Sequence, residues 1–225
     1  MADPACVTTA RAPAVRSVRD TASYARLTVH VLVVQAHPRA DSLCAQLALA
    51  AERGLQRAGH DVTTLRLYDE GFQATMTEAE RVAYHGDAPV LDPMVAAHAV
   101  AVRTAEALVF VYPTWWMGLP AIMKGWLERV LVPGVAFTFD ERTHKVTPTL
   151  DHVRRIVGIT TYGSPRWHSR LVGDGGRRTL LRALRMVCGW RTHTSWFGLW
   201  RVEQVSDDAR AAFVRRVEDA MAGLT

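Results

Sequence analysis

The chain is poor in lysine and cysteine and has no hydrophobic run of membrane length. Only Lys124 and Lys145 stand among its 27 basic residues, and the formal net charge is just +5. Four arginines fall in the first 26 residues, so the positive charge of the remainder is thin and gives no footprint for nucleic acid. Cys6, Cys44 and Cys188 are an odd number without CxxC spacing. That argues against a disulfide framework or a zinc site and fits a reducing cytoplasm, with the thiols as small buried hydrophobes. The longest apolar run, LTVHVLVV, is broken by His30 and falls far short of the roughly 20 residues that cross a bilayer. A soluble protein without membrane insertion is expected. Several motifs are also missing: GxGxxG, the GxxxxGK phosphate loop, the GxSxG elbow and a Tyr-x-x-x-Lys pair. Their absence argues against a dinucleotide fingerprint, a P-loop NTPase, a serine hydrolase and a short-chain dehydrogenase.

What remains is ample for a core. The chain has 225 residues, 49% of them hydrophobic and 22% charged. A fold of this length buries roughly 70 to 75% of the surface its unfolded chain exposes. Residues 1–26 are rich in Ala, Arg, Pro, Ser and Thr without periodicity, and read as a disordered N-terminal extension. One domain is expected over residues 27–225.

Within it, residues 29–35 form a β-branched run of the kind a strand buried on both faces requires. A helix is predicted over residues 42–58, with Gly59 beyond its end. Further strands are predicted at 61–67, 107–112, 155–161 and 192–199, and further helices at 77–84, 93–104, 118–131, 177–188 and 207–222. Thr77 and Glu80 have capping-box spacing. Strand and helix alternate five times, which implies a doubly wound α/β sheet with helices on both faces. Ligands of such sheets sit beyond the carboxyl ends of the strands, where the chain order reverses. The loops after strands one, three and four are therefore the candidate site.

The first loop carries His37, Arg39 and Ser42 at a helix N-terminus, where free N–H groups and partial positive charge suit a phosphate. The same residues also satisfy an ordinary helix start, with Asp41 or Ser42 as the cap. The second loop sets Trp115, Trp116 and Met117 between Pro113 and Pro120, an apolar shelf on which a flat heteroaromatic ring can stack. Core or dimer packing is the competing explanation. The third loop runs from Thr160, Thr161, Tyr162 and Gly163 to Arg166, Trp167 and His168, small and hydroxylated first, then aromatic and basic.

Together these segments resemble the NAD(P)H:quinone oxidoreductase family of flavodoxin-like flavoproteins. The resemblance rests on the His37-Pro38…Ser42 turn, on LYDEGFQATMTEAE at 67–80 and on YPTWWMGLPAIMKGWLERV at 112–130. FTF at 137–139 and TTYGS at 160–164 follow in order. It implies a five-stranded parallel sheet in the order 2-1-3-4-5 and a tightly bound FMN or FAD. The flavin's phosphate would lie at His37, Arg39, Ser42, Leu43 and Cys44. Its ring would lie on Pro113, Thr114, Trp115, Trp116 and Met117, with Thr160, Thr161, Tyr162 and Gly163 at its edge. NAD(P)H as electron donor, a quinone-like acceptor, cytoplasmic location and a homodimer follow from the same likeness, with Tyr162 and His168 as catalytic candidates. Scattered arginines such as Arg166 and Arg170 are candidates for a donor's 2′-phosphate. The alternative is a regulatory or ancillary subunit, of the potassium-efflux type, with incidental turnover. The chain departs from the family in three places. Leu43-Cys44 replaces Phe-Asn, Tyr162 stands where the family has the first of two glycines, and His168 stands where many members have a tyrosine.

Overall fold

The computed structural model describes residues 28–224 apart from 141 and 144, so the expected extension at 1–26 lies outside the described residues. Five strands form the central sheet: β1 (His30–Gln35), β2 (Asp61–Arg66), β3 (Ala107–Pro113), β6 (Arg155–Thr161) and β7 (His193–Leu199). All four neighbouring pairs are parallel, and the order is β2-β1-β3-β6-β7. Counting only these strands, that is the expected 2-1-3-4-5.

Alternation along β1 divides the core. Val31 and Val33 pack with Leu47, Ala51 and Leu55 of α1 (Leu43–Arg57) and with Phe213 and Val217 of α8 (Asp207–Ala222). Leu32 and Val34 face the opposite layer, built from α3 (Pro93–Thr104) and α4 (Ala121–Val130). Burial on both faces is why β1 and β3 read as unbroken apolar runs. Caps fix the helix starts. Ser42 accepts from the Ala45 amide, Asp92 from Met94 and Val95, and the Thr77–Glu80 box closes in both directions at α2 (Glu78–Ala83).

A buried ion cluster ties the second layer together. Arg129 of α4 donates from Nε to Glu80 (3.0 Å) and from Nη2 to Asp92 (2.9 Å), and its guanidinium lies 5.3 Å from the Phe72 ring centre. Gly125 belongs to the same contact, since a Cβ there would stand 2.1 Å from the Ala74 carbonyl oxygen. A mid-helix glycine costs about 1 kcal/mol against alanine. Here it lets the loop after β2 close onto α4.

Three elements depart from expectation. An antiparallel pair, β4 (Phe137–Asp140) with β5 (Lys145–Pro148), stands apart from the main sheet. Each strand has four residues, mostly exposed, too few for a periodic signal. The segment read as loop after β6 becomes helical at α5 (Arg166–Val172), which starts on Pro165 without a side-chain cap and so leaves no start signal. The helix predicted at 177–188 is instead α6 (Gly175–Arg178), a π-helix (Thr179–Leu184) and α7 (Arg185–Cys188). Among the described residues no helix is long and apolar enough to cross a membrane.

Candidate active site

The crevice outside β1 and β3 is the point where the sheet's chain order reverses. On its β1 side, a cleft of about 700 Å³ is lined by His37, Arg39, Ser42 and Leu43, with Arg210 from α8. The Arg39 amide donates to His37 Nδ1 (3.1 Å), so the neutral ring carries its proton on Nε2. Burial is the largest influence on the His37 pKa and holds it below its ordinary value. The amides of Leu43 and Cys44 belong to the first turn of α1, where helical N–H groups have no intrahelical partner. Arg39 differs from the simple expectation of a free phosphate donor. It pairs with Asp41 through Nε (3.0 Å) and Nη2 (2.7 Å), both side chains exposed. The Cys44 side chain is buried, with Sγ 3.6 Å from Thr161 Oγ1, so only its backbone can meet a ligand.

The turn after β3 is the most unusual backbone in the site. Trp115 and Gly118 exchange amide hydrogen bonds (3.3 and 3.0 Å), enclosing a two-residue turn at Trp116 and Met117. Both lie in the left-handed region, with φ of 48° and 55°. Two positive φ values make this a type I′ geometry, whose usual residues are Asn-Gly. Non-glycine residues held there cost of order 1 to 3 kcal/mol each and cluster at ligand clamps. Tertiary contacts hold the turn from below. Thr114 N–H donates to the Thr161 carbonyl (2.8 Å), Gly175 N–H donates to the Met117 carbonyl (2.9 Å), and Thr114 and Thr160 share a hydroxyl hydrogen bond (2.8 Å). Trp116 projects fully into solvent, while the Trp115 ring stands 6.0 Å from that of His37. The two loops expected to meet do meet.

The β6 loop is arranged differently from the sequence expectation of hydroxyls at a ligand's rim. Thr160 and Thr161 are buried, and their hydroxyls bond inward. Gly163 is exposed, and a Cβ there would meet nothing within 4 Å, so its backbone forms the accessible edge. Tyr162 does not crowd that edge. Its ring is buried and stacked on Trp200 (5.1 Å, 6°), and its hydroxyl donates to Asp174 (2.7 Å). Burial, reinforced by Asp174, pushes its pKa well up, so the phenol is a bracing group at neutral pH. His168 is half-buried on α5, its ring 5.4 Å from Trp167.

A family described as "Flavodoxin-like fold" matches residues 29–222. The chain belongs to that family. Over 153 residues it is 29% identical to NAD(P)H dehydrogenase (quinone) 1 of Rattus norvegicus, covering 61% of this chain and 55% of that protein. It thus spans about half the length of that relative. Ribosyldihydronicotinamide dehydrogenase (quinone) of Homo sapiens is 27% identical over 180 residues, covering 72% of this chain and 77% of that one. Among solved structures, the NAD(P)H:quinone oxidoreductase of Methanothermobacter marburgensis superposes with a TM-score of 0.76 at 23% identity. That match covers 88% of this chain and all of that one.

As a flavodoxin-like protein, the chain places its site residues where strand ends converge, but sequence reasoning missed several. Asp174, itself left-handed at φ 43°, receives the Tyr162 hydroxyl and caps the Arg177 amide (3.3 Å). Trp200 supplies the ring beneath Tyr162, and Arg210 reaches the β1 cleft from α8. The signal for Asp174 was its place in Gly173-Asp174-Gly175, a flanked acid typical of a tight turn. Nothing local marks Trp200 or Arg210.

Proposed function

We propose that this chain is a flavin-dependent NAD(P)H oxidoreductase that reduces quinones or similar flat aromatic acceptors by two electrons, working as a homodimer. The strained Trp116-Met117 turn carries the reading. It holds a costly conformation at the switch point of the sheet and offers an exposed aromatic shelf beside an anion-suited helix start. Quinone-dehydrogenase relatives support the same reaction class.

The residues fit FMN or FAD. The first-turn amides of α1, the Ser42 hydroxyl and His37 Nε2–H form a donor set suited to a phosphate. Pro113, Thr114, Trp115, Trp116 and Met117 form the platform for the flat ring, and the Gly163 backbone is its polar edge. When bound, the flavin supplies the two-electron centre between nicotinamide donor and acceptor. The chain's own part is stacking, orientation and exclusion of water. His168 is the side chain we assign to deliver a proton to the acceptor oxygen, because an imidazole can donate a proton and His168 lies in the first turn of α5, the helix that follows the Gly163 edge. Tyr162 positions the loop through Asp174. The second protomer covers the exposed apolar surface at Trp116, Trp167, Leu171 and Trp190.

The test is turnover. Purified protein loaded with FMN or FAD oxidises NAD(P)H in the presence of a simple benzoquinone, and Trp116→Ala lowers that rate at least tenfold. Absence of NAD(P)H oxidation by a flavin-saturated protein overturns the reading.

A further inference from the structure

Beside the Trp turn lies a second cleft, of about 480 Å³, lined by Arg166, Arg170, Arg177, Arg178, Arg182 and Arg185. Among the described residues Asp174 is the one carboxylate on its wall, and it already accepts the Tyr162 hydroxyl. Six guanidinium groups around one acid give the cleft a positive field that suits an anion. The contrast with the β1 cleft is instructive. There Arg39 and Arg210 are matched by Asp41, Glu203 and Asp207, which leaves little net charge of either sign.

The guanidinium groups are organised. Arg166 lies over the Trp200 ring (5.2 Å) and Arg177 over Trp196 (5.8 Å), while Arg185 donates to the Trp190 carbonyl (2.8 Å). Arg185 Nε is a buried donor without a hydrogen-bond partner among the described residues, an expense that a bound acceptor would remove. The π-helix, a conformation that recurs at functional sites, carries Arg182 into the wall. Gly175 joins cleft and shelf, since its amide is the one bound to the Met117 carbonyl.

We infer that this cleft receives the 2′-phosphate of a phosphorylated nicotinamide dinucleotide, so that the chain prefers NADPH to NADH. The inference rests on the oxidoreductase reading for its donor. Its chemistry is that of a dianionic phosphomonoester met by planar, bidentate guanidinium donors.

Calorimetric titration of the full-length protein with adenosine 2′,5′-bisphosphate and with adenosine 5′-monophosphate tests it without turnover. The bisphosphate binds at least about tenfold more tightly, the worth of one added charge-assisted contact. Arg170→Ala with Arg182→Ala, both exposed side chains, abolishes that difference and brings the KM for NADPH up to that for NADH. Arg170→Lys with Arg182→Lys restores part of it. Equal binding of the two nucleotides, or a KM ratio that the alanine changes leave alone, overturns the inference. A chain that reduces quinones with one KM for both donors keeps the reaction and loses the cleft. One that binds the bisphosphate tightly but never oxidises NADPH keeps the cleft and loses the reaction.

Discussion

At the residue scale, the Trp116-Met117 turn is where local preference and structure disagree, and the proposed site rests on that disagreement. Replacing the pair by Trp116→Asn with Met117→Gly removes two strained φ values while leaving the turn type intact. We expect the cofactor-free protein to gain about 1 to 2 kcal/mol in denaturant titration, and flavin retention to fall. A variant that is both less stable and equally yellow would contradict the strain argument. Trp116→Ala weakens flavin retention more than His37→Ala, because stacking on the shelf has no substitute while the phosphate keeps its backbone donors. Comparing flavin dissociation constants of the two variants checks this. The cysteines belong to this scale too. Burial pushes the Cys44 thiol up to about 11 and the Cys188 thiol up to about 12, a weak Thr161 contact notwithstanding at Cys44. In a Cys6→Ser protein, neither thiol reacts with a disulfide reagent at pH 8 within minutes unless denaturant is present. Prompt labelling of the folded chain would show that the thiols are reachable. The apolar turn of the two tryptophans was legible in their place between Pro113 and Pro120 just past a buried strand. The inward turn of Tyr162 was not, because Asp174 and Trp200, which hold its ring, stand far along the chain.

At the element scale, the Arg129 cluster joins α2, α3 and α4 around the loop that approaches the site. Removing one partner of a buried ion pair leaves an uncompensated charge, so Arg129→Met is expected to cost about 3 to 5 kcal/mol in chemical denaturation. The pH dependence follows from the carboxylates. Burial alone would push the Glu80 pKa up, but hydrogen bonds from Arg129 and Thr77 outweigh it and hold it low. At Asp92 the Arg129 hydrogen bond is the largest influence and also lowers it. Folded values below the unfolded ones mean stability that is fully present above roughly pH 4 to 4.5 and lost as pH falls through the lowered values. Thermal melts between pH 7 and pH 3 should therefore show a steep acid loss in the native chain and a shallower one in Glu80→Gln, which starts less stable. Parallel slopes would count against the cluster. Here the sequence was half informative. The Thr77–Glu80 box was visible in its spacing, whereas Arg129 read as an ordinary basic residue late in a helix. Its acids lie 49 and 37 positions away, beyond any local pattern.

At the scale of the whole molecule, the alternation of strands and helices was enough to anticipate the doubly wound sheet, since parallel strands buried on both faces leave long apolar signals. The small β4–β5 pair was invisible for the opposite reason, being short and mostly exposed, and in the helix expected at 177–188 the break into α6, the π-helix and α7 left no local signal. Of the arginine cleft only Arg166 and Arg170 stood out in the sequence, its six side chains being scattered over four short helical pieces, α5, α6, the π-helix and α7. Exposed Trp167, Leu171 and Trp190 lead us to expect a homodimer of twice 25.0 kDa by sedimentation, reduced to monomer by Leu171→Asp with Trp190→Asp. A native chain that sediments as a monomer at micromolar concentration would remove the second protomer from the account. The central claim is that a flat redox cofactor rests on the Trp turn with its phosphate at the start of α1, and mass determination of the small molecule released by heat from purified protein tests it most directly. FMN or FAD near one per chain is the predicted result. A colourless protein that releases no flavin, and takes up neither FMN nor FAD on titration, would contradict it.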